Sequence, residues 1–134
     1  MKVDLTNFDL FKSFTEFEKE GIHIDLHNEF DCSGIEYSRQ RKQLILSFKP
    51  NAHCTLNIKN VAVTFDDCSL QHYSTKNDKS DSDLSTIDII YRGRITSSNQ
   101  KSIETLDGRY YYYINFRPDI NFELWAKHVT AIFE

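Results

Sequence analysis

The sequence predicts a mainly β fold of the α+β kind. It would be an antiparallel sheet or sandwich with one N-terminal helix packed on it, forming a single domain over residues 1–134. Three observations carry this expectation. Ten Phe and seven Tyr supply large buried areas although hydrophobic residues make up only 40% of the chain. Apolar and polar residues alternate along most of its length, the period of a strand with one buried face. One stretch near the start repeats at three and four instead, the period of a helix. A chain of this size buries about two-thirds of its unfolded surface, enough for a core that needs no staples.

The helical stretch is Asn7 to Glu20. Phe8, Phe11, Phe14 and Phe17, with Leu10, place an aromatic stripe on one face. Asn7 is its expected N-cap, Asp9 lies in the first turn and Gly21 follows as the C′ residue. Such a stripe serves either as a partner-binding ligand or, more commonly, as packing on the domain's own sheet.

Strands follow in order. Ile22, Ile24 and Leu26 alternate with His23, Asp25 and His27, and a polar connection runs from Asn28 to Gly34. Ile35–Ser38 and Gln43–Phe48 flank Arg39-Gln40-Arg41-Lys42, a hairpin with a basic tip. Lys49-Pro50-Asn51 reads as a turn and Cys54–Ile58 as a strand, with Val61, Val63 and Phe65 continuing the alternation. Ser69–Tyr73 is a further strand, and Ser74–Asp83, without one apolar residue, is an exposed loop. Ile87–Tyr91 is a strand ended by Gly93, and a long connection from Ile95 reaches the turn signal Asp107-Gly108.

Tyr110 to Phe116 is the clearest strand, rich in residues that suit a pleated, half-buried surface. Tyr112, Ile114 and Phe116 face one way; Tyr111, Tyr113, Asn115 and Arg117 face the other. Pro118-Asp119 stops it. The run that follows, Ile120 to Phe133, admits two readings. Phe122, Trp125, Val129, Ile132 and Phe133 fit a helical stripe. Phe122, Leu124 and Ala126, then Val129, Ala131 and Phe133, fit a strand whose inner face switches at a bulge near His128. Hairpin distance from Phe116 favours the strand.

Composition narrows the function classes. A net charge of −4 argues against nucleic acid as the partner, because phosphate binding wants clustered Lys and Arg. Cys32, Cys54 and Cys68 are odd in number and widely spaced, which fits reduced thiols. The start, MKVDLTNFDLFKSF, has no signal-peptide character, and no run approaches the roughly 20 apolar residues of a membrane span, so a cytoplasmic protein is expected.

Catalytic and metal chemistry finds little support. His23 and His27 would lie about 13 Å apart on a strand, too far to share an ion, and Cys32, His53, Cys54 and Asp66 stand at no recognisable ligand spacing. His53-Cys54 are neighbours and so point to opposite sides of a strand. Glu29/Asp31 and Asp66/Asp67 lack any flanking motif, and no glycine-rich phosphate loop or zinc-binding helix motif occurs. No catalytic, cofactor or metal residue is therefore assigned.

Two surface features remain. Tyr111 and Tyr113, beside Arg109 and Arg117, are residue types that anchor protein interfaces, unless a second layer covers them. Asp66, Asp67, Asp78, Asp81 and Asp83 form an acidic set suited to steering a basic partner.

The run LHNEFDCSGIEYSRQRKQLILSFKP, followed by CTLNIKNVAVTF, resembles small bacterial immunity proteins that accompany polymorphic or contact-dependent toxins. The matching elements are Leu26-His27, Ile35 to Tyr37, Leu44 to Phe48, Leu56 to Val61 and Trp125 to Val129, with Asn28 in place of an Asp. The resemblance implies a non-catalytic protein that binds and neutralises a toxin domain, with a basic, nuclease-like domain as the expected partner. It transfers no functional residue. The alternatives are a small metal- or Cys/His-dependent hydrolase, and a structural or adaptor subunit that pairs through a sheet edge.

Overall fold

The computed structural model describes residues 1–75, 86–95, 101–102, 105–117 and 120–134. Its strands are β1 (Lys2–Asp4), β2 (Glu16–Lys19), β3 (Ile22–Asp25), β4 (Phe30–Ser38), β5 (Gln43–Pro50), β6 (Val61–Asp66) and β7 (Ser69–Thr75) in the first half. The second half adds β8 (Thr86–Arg92), β9 (Arg94–Ile95), β10 (Lys101–Ser102), β11 (Thr105–Leu106), β12 (Arg109–Arg117), β13 (Ile120–Ala126) and β14 (His128–Phe133). A single helical turn, α1 (Leu26–Glu29), is capped by Asp25, whose carboxylate accepts the Asn28 N–H at 3.1 Å. No described helix is long and apolar enough to cross a membrane.

The mainly β, antiparallel class holds; among the described residues the one helix is α1, which is not the expected N-terminal one. The strands form antiparallel sheets, two of them large. The first runs β1-β14-β6-β5-β4. The second is built on β12, with β13 and then β7 on one side, and β8 and β11 sharing the other. β2 pairs with β3, and β9 with β10.

The two large sheets are joined by a paired ribbon. β6 and β14 pair in the first sheet; their chain neighbours β7 and β13 pair in the second. Both stretches turn at the same level. Asp67 takes the left-handed conformation at φ 49°, and the Lys127 N–H donates to the Asp66 carbonyl at 2.9 Å. Strands that change sheets through a bend make the corners of orthogonally packed sheets. One residue outside the alternation also switches the inward face. Phe122, Leu124 and Ala126 are buried before the bend, and Val129, Ala131 and Phe133 after it. The strand reading of the last run, with its face switch near His128, is the one the chain adopts.

Between the sheets lie Leu44, Leu46 and Phe48 of β5, Val61, Val63 and Phe65 of β6, and Tyr112, Ile114 and Phe116 of β12. Phe65 meets Tyr112 edge-on with ring centroids 5.5 Å apart. The Tyr112 hydroxyl donates to the Thr6 carbonyl at 3.4 Å, so the ring is buried without stranding its oxygen.

Asn7 to Glu20 does not form the expected helix. Phe14 and Phe17 are buried, but the chain passes along the outer edge of β8, where the Phe11 and Phe14 N–H groups donate to the Arg92 and Ile90 carbonyls, each at 2.9 Å. Those bonds replace intrahelical ones in a stretch of Phe, Thr and Ser, which are indifferent helix formers. Glu20 and Gly21 have φ of 51° and 81°, so Gly21 serves a tight hairpin between β2 and β3 and not a helix end. Asp107-Gly108 makes the same turn between β11 and β12, as its sequence predicts.

Two further expectations are corrected. Cys54–Ile58 forms no strand; its alternate residues Cys54, Leu56 and Ile58 pack on the core, but no ladder accompanies them. The polar connection from Asn28 is short, because β4 begins at Phe30, whose ring is fully buried. Most of the acidic loop, the middle of the connection after Ile95, and Pro118-Asp119 lie outside the described residues.

Beyond the end of β1, the ladder along β14 is continued by a side chain. Leu5 N–H donates to the Val129 carbonyl at 2.8 Å, and the Val129 N–H donates to Thr6 Oγ1 at 3.0 Å. Thr6→Val keeps the volume and strands this buried N–H. We expect a loss of about 1–3 kcal/mol, seen as a lower urea midpoint at an unchanged denaturant slope.

Candidate functional site

The outward face of the second sheet carries the candidate site. Across it, Tyr91 of β8, Tyr113 of β12, Glu123 of β13 and His72 of β7 stand in one row. Ile89, Asn115 and Asn121 form the next row, and Tyr111 and Trp125 the row on the other side. None of these residues faces the first sheet.

The rings are braced. Tyr91 and Tyr113 are half-buried, with centroids 5.2 Å apart, and Phe11 lies 5.8 Å from Tyr91. The Asn115 Nδ2 group donates to the Tyr113 hydroxyl at 3.4 Å. Burial pushes the Tyr91 phenol above its ordinary value, and the neighbouring Tyr113 and Glu123 add to the effect. That phenol therefore stays protonated at neutral pH and can donate a hydrogen bond. At the rim, Arg117 Nε donates to Asp88 at 3.3 Å, while His27 Nδ1 donates to the Ile87 carbonyl at 2.6 Å and ties α1 to β8.

Tyr111 and Tyr113 do share this face, but they play different parts. Tyr111 is 6% exposed. It packs edge-on against Trp125 at 5.0 Å, and the Arg94 guanidinium lies 5.3 Å from its ring centre. Tyr113 remains accessible. Its partner Tyr91 is the residue the sequence conceals. Strict alternation from Ile87 would turn Tyr91 into the core. The extra residue Asp88 shifts the register of β8 against β12 and turns the ring outward instead.

Asp66 and Asp67 sit at the corner where the ribbon bends. Asp66 accepts Gln43 Nε2 at 2.9 Å, and Asp67 is exposed. Their surroundings are of mixed charge: Lys127 adjoins Asp66, and Arg109 is close enough to act on the same thiol, Cys68. Asp78, Asp81 and Asp83 lie outside the described residues.

The other candidate groups are dispersed. His23 pairs with Glu16 at 3.2 Å on the β2–β3 hairpin, His27 reaches β8, and the His53 N–H is held by Asn51 in a turn. Among the described residues no three His, Cys, Asp or Glu gather as a metal-binding group. Cys32, Cys54 and Cys68 are free thiols. Comparison with known protein families, with characterised proteins and with solved structures finds no match to this chain.

Cys68 reports on the corner itself. Burial pushes its thiol up to about 12; Arg109 opposes the shift, and Asp66 and Asp67 reinforce it. The thiolate is the reactive form, so a rise from 9.0 to about 12 cuts its population about a thousandfold. With Cys32→Ser and Cys54→Ser in place, the remaining thiol should react with a disulfide reagent at mildly alkaline pH only after unfolding. Labelling of the folded chain at the rate of a free thiol would mean that the corner is open.

Proposed function

We propose that this chain is a non-catalytic protein-binding protein that uses the outward face of its second sheet. The more specific reading is an immunity protein that occupies and neutralises a cognate bacterial toxin domain. One observation carries the proposal: Tyr91 and Tyr113 stand side by side, half-exposed, on strands held by ladders on both sides of β12. Tyr offers a large contact area with few rotors to freeze, and a hydroxyl that can bond at its tip. Anchored rings of this kind supply most of the energy of many interfaces.

The strand patterning of residues 26–50 and 54–65, which resembles that of immunity proteins, favours the specific reading, as does the net charge of −4. An acidic binder meets a basic partner faster than diffusion of neutral proteins allows. A basic, nuclease-like toxin domain is the partner chemistry this favours. In that reading Asp66 and Asp67 steer while Tyr91 and Tyr113 anchor, with Tyr111 and Trp125 as support in the row beside them.

The test begins with the adjacent upstream reading frame. If it encodes a large secreted protein, its variable C-terminal domain is the candidate toxin. Co-expression with this chain should restore growth, and the purified pair should form a complex. Tyr91→Ala and Tyr113→Ala should each weaken binding by about 30-fold, the equivalent of about 2 kcal/mol. Wild-type affinity in the double variant would overturn the tyrosine face as the contact surface.

Steering is measured separately. Asp66→Lys with Asp67→Lys should lower the association rate several-fold at low salt and little at high salt. Rates that do not move at low salt would remove these acids from the encounter.

A further inference from the structure

Among the described residues the outer strands of the large sheets are β1, β4, β7, β8 and the two-residue β11, and they are treated differently. β1 is three residues long. The edge of β8 is covered by residues 11–14. β7 and β4 pair on one side only among the described residues. Of these two, β4 is the longer, nine residues with little burial beyond Phe30. Natural sheets seldom leave a long edge bare, because its free N–H and C=O groups invite another strand.

The side chains of β4 add a second observation. Cys32, Ile35 and Tyr37 lie opposite Phe48, Leu46 and Leu44 of β5, which are 1%, 0% and 0% exposed. They therefore face inward, yet Tyr37 is 36% exposed. The second sheet faces this strand through Tyr73, Ile120 and Phe122 without closing over Tyr37. What remains is an open apolar groove of about 460 Å³, lined by Cys32, Ser33, Gly34, Ile35, Tyr73, Ile120 and Phe122.

We infer that β4 pairs antiparallel with β4 of a second copy of this chain, about a two-fold axis at Ile35. The charge order along the strand selects this occupant. Glu29 and Asp31 stand at one end, and the exposed turn with Arg39, Arg41 and Lys42 at the other. Under a two-fold axis the acidic end of each copy meets the basic end of its mate, which is the self-complementarity an isologous interface requires. A foreign strand has no such constraint to satisfy.

The register also fills the groove. Ser33 is already an extra residue in the pairing of β4 with β5. With it passed over again, Cys32 comes opposite Tyr37 of the second copy, and Asp31 comes opposite Ser38. Inward faces then meet inward faces. Each Tyr37 ring lies at the mouth of the other copy's groove, against Cys32 and Ile35. The first sheets of the two copies become one continuous ten-stranded sheet. This interface is separate from the tyrosine face of the second sheet and does not rest on it.

Sedimentation equilibrium of the full chain tests the idea. The expected mass is twice 15.8 kDa. Tyr37→Arg, or Arg39→Glu with Arg41→Glu, should return the mass to that of one chain with an unchanged far-ultraviolet spectrum. Adding Asp31→Arg to the Arg39 and Arg41 reversals should restore the dimer. Antiparallel partners lie about 4.5–5.5 Å apart at Cα, within disulfide reach. Ile35→Cys combined with Cys32→Ser should therefore cross-link on mild oxidation, which Cys32→Ser alone should not. A single-chain mass up to about 1 mM overturns the inference. So does a dimer that survives the Tyr37 and Arg variants, and so does the absence of the Ile35→Cys cross-link.

Discussion

The structure depends on two strands bending together. β6–β7 and β13–β14 run antiparallel through both large sheets, and each changes sheet at the same level. Were only one of them to carry the bend, its side chains beyond that point would be one residue out of phase with its partner. A slip of one residue exchanges the inner row for the outer one. Val129, Ala131 and Phe133 would leave the core, at a cost of roughly 1.5–3 kcal/mol for each large side chain. The carbonyl of Asp66, accepting from Lys127, and the left-handed turn at Asp67 hold the two bends in step.

Much of this was legible in the residues, because inward and outward facing is a local property. The tyrosine strand, the hairpin with the basic tip and the face switch near His128 all follow from period-two patterning, and Asp107-Gly108 follows from turn chemistry. What was not legible depends on partners far away in the chain. Phe8, Phe11, Phe14 and Phe17 have helical spacing, yet the N–H groups of Phe11 and Phe14 find carbonyls some eighty residues later on β8. Cys54, Leu56 and Ile58 alternate as a strand would, and the facing is right, but no ladder forms. The outward turn of Tyr91 depends on Asp88 being the odd residue against β12, and nothing in Ile87–Tyr91 announces that.

The two surfaces singled out belong to different sheets and have different chemistry. The tyrosine face is a ring platform on β12 and β8, stiffened by ladders, by Phe11 and by the Tyr111–Trp125 pair in the row beside it. The β4 edge offers backbone groups and one underused aromatic. A contact on the first depends on side-chain packing and is sensitive to single ring deletions. A contact on the second depends on main-chain pairing and register, with side chains choosing the partner. Because the two do not overlap, a pair of copies joined at β4 would still present both tyrosine faces.

The position of β14 carries one more implication. It lies between β1 and β6, and Met1 donates its amino group to the Phe133 carbonyl at 2.7 Å. On a ribosome, Val61–Asp66 therefore waits with one flank bare until His128–Phe133 emerge, the kind of distant closure that slows folding. Removal of His128–Phe133 would not trim a border. It would cut the first sheet through its interior.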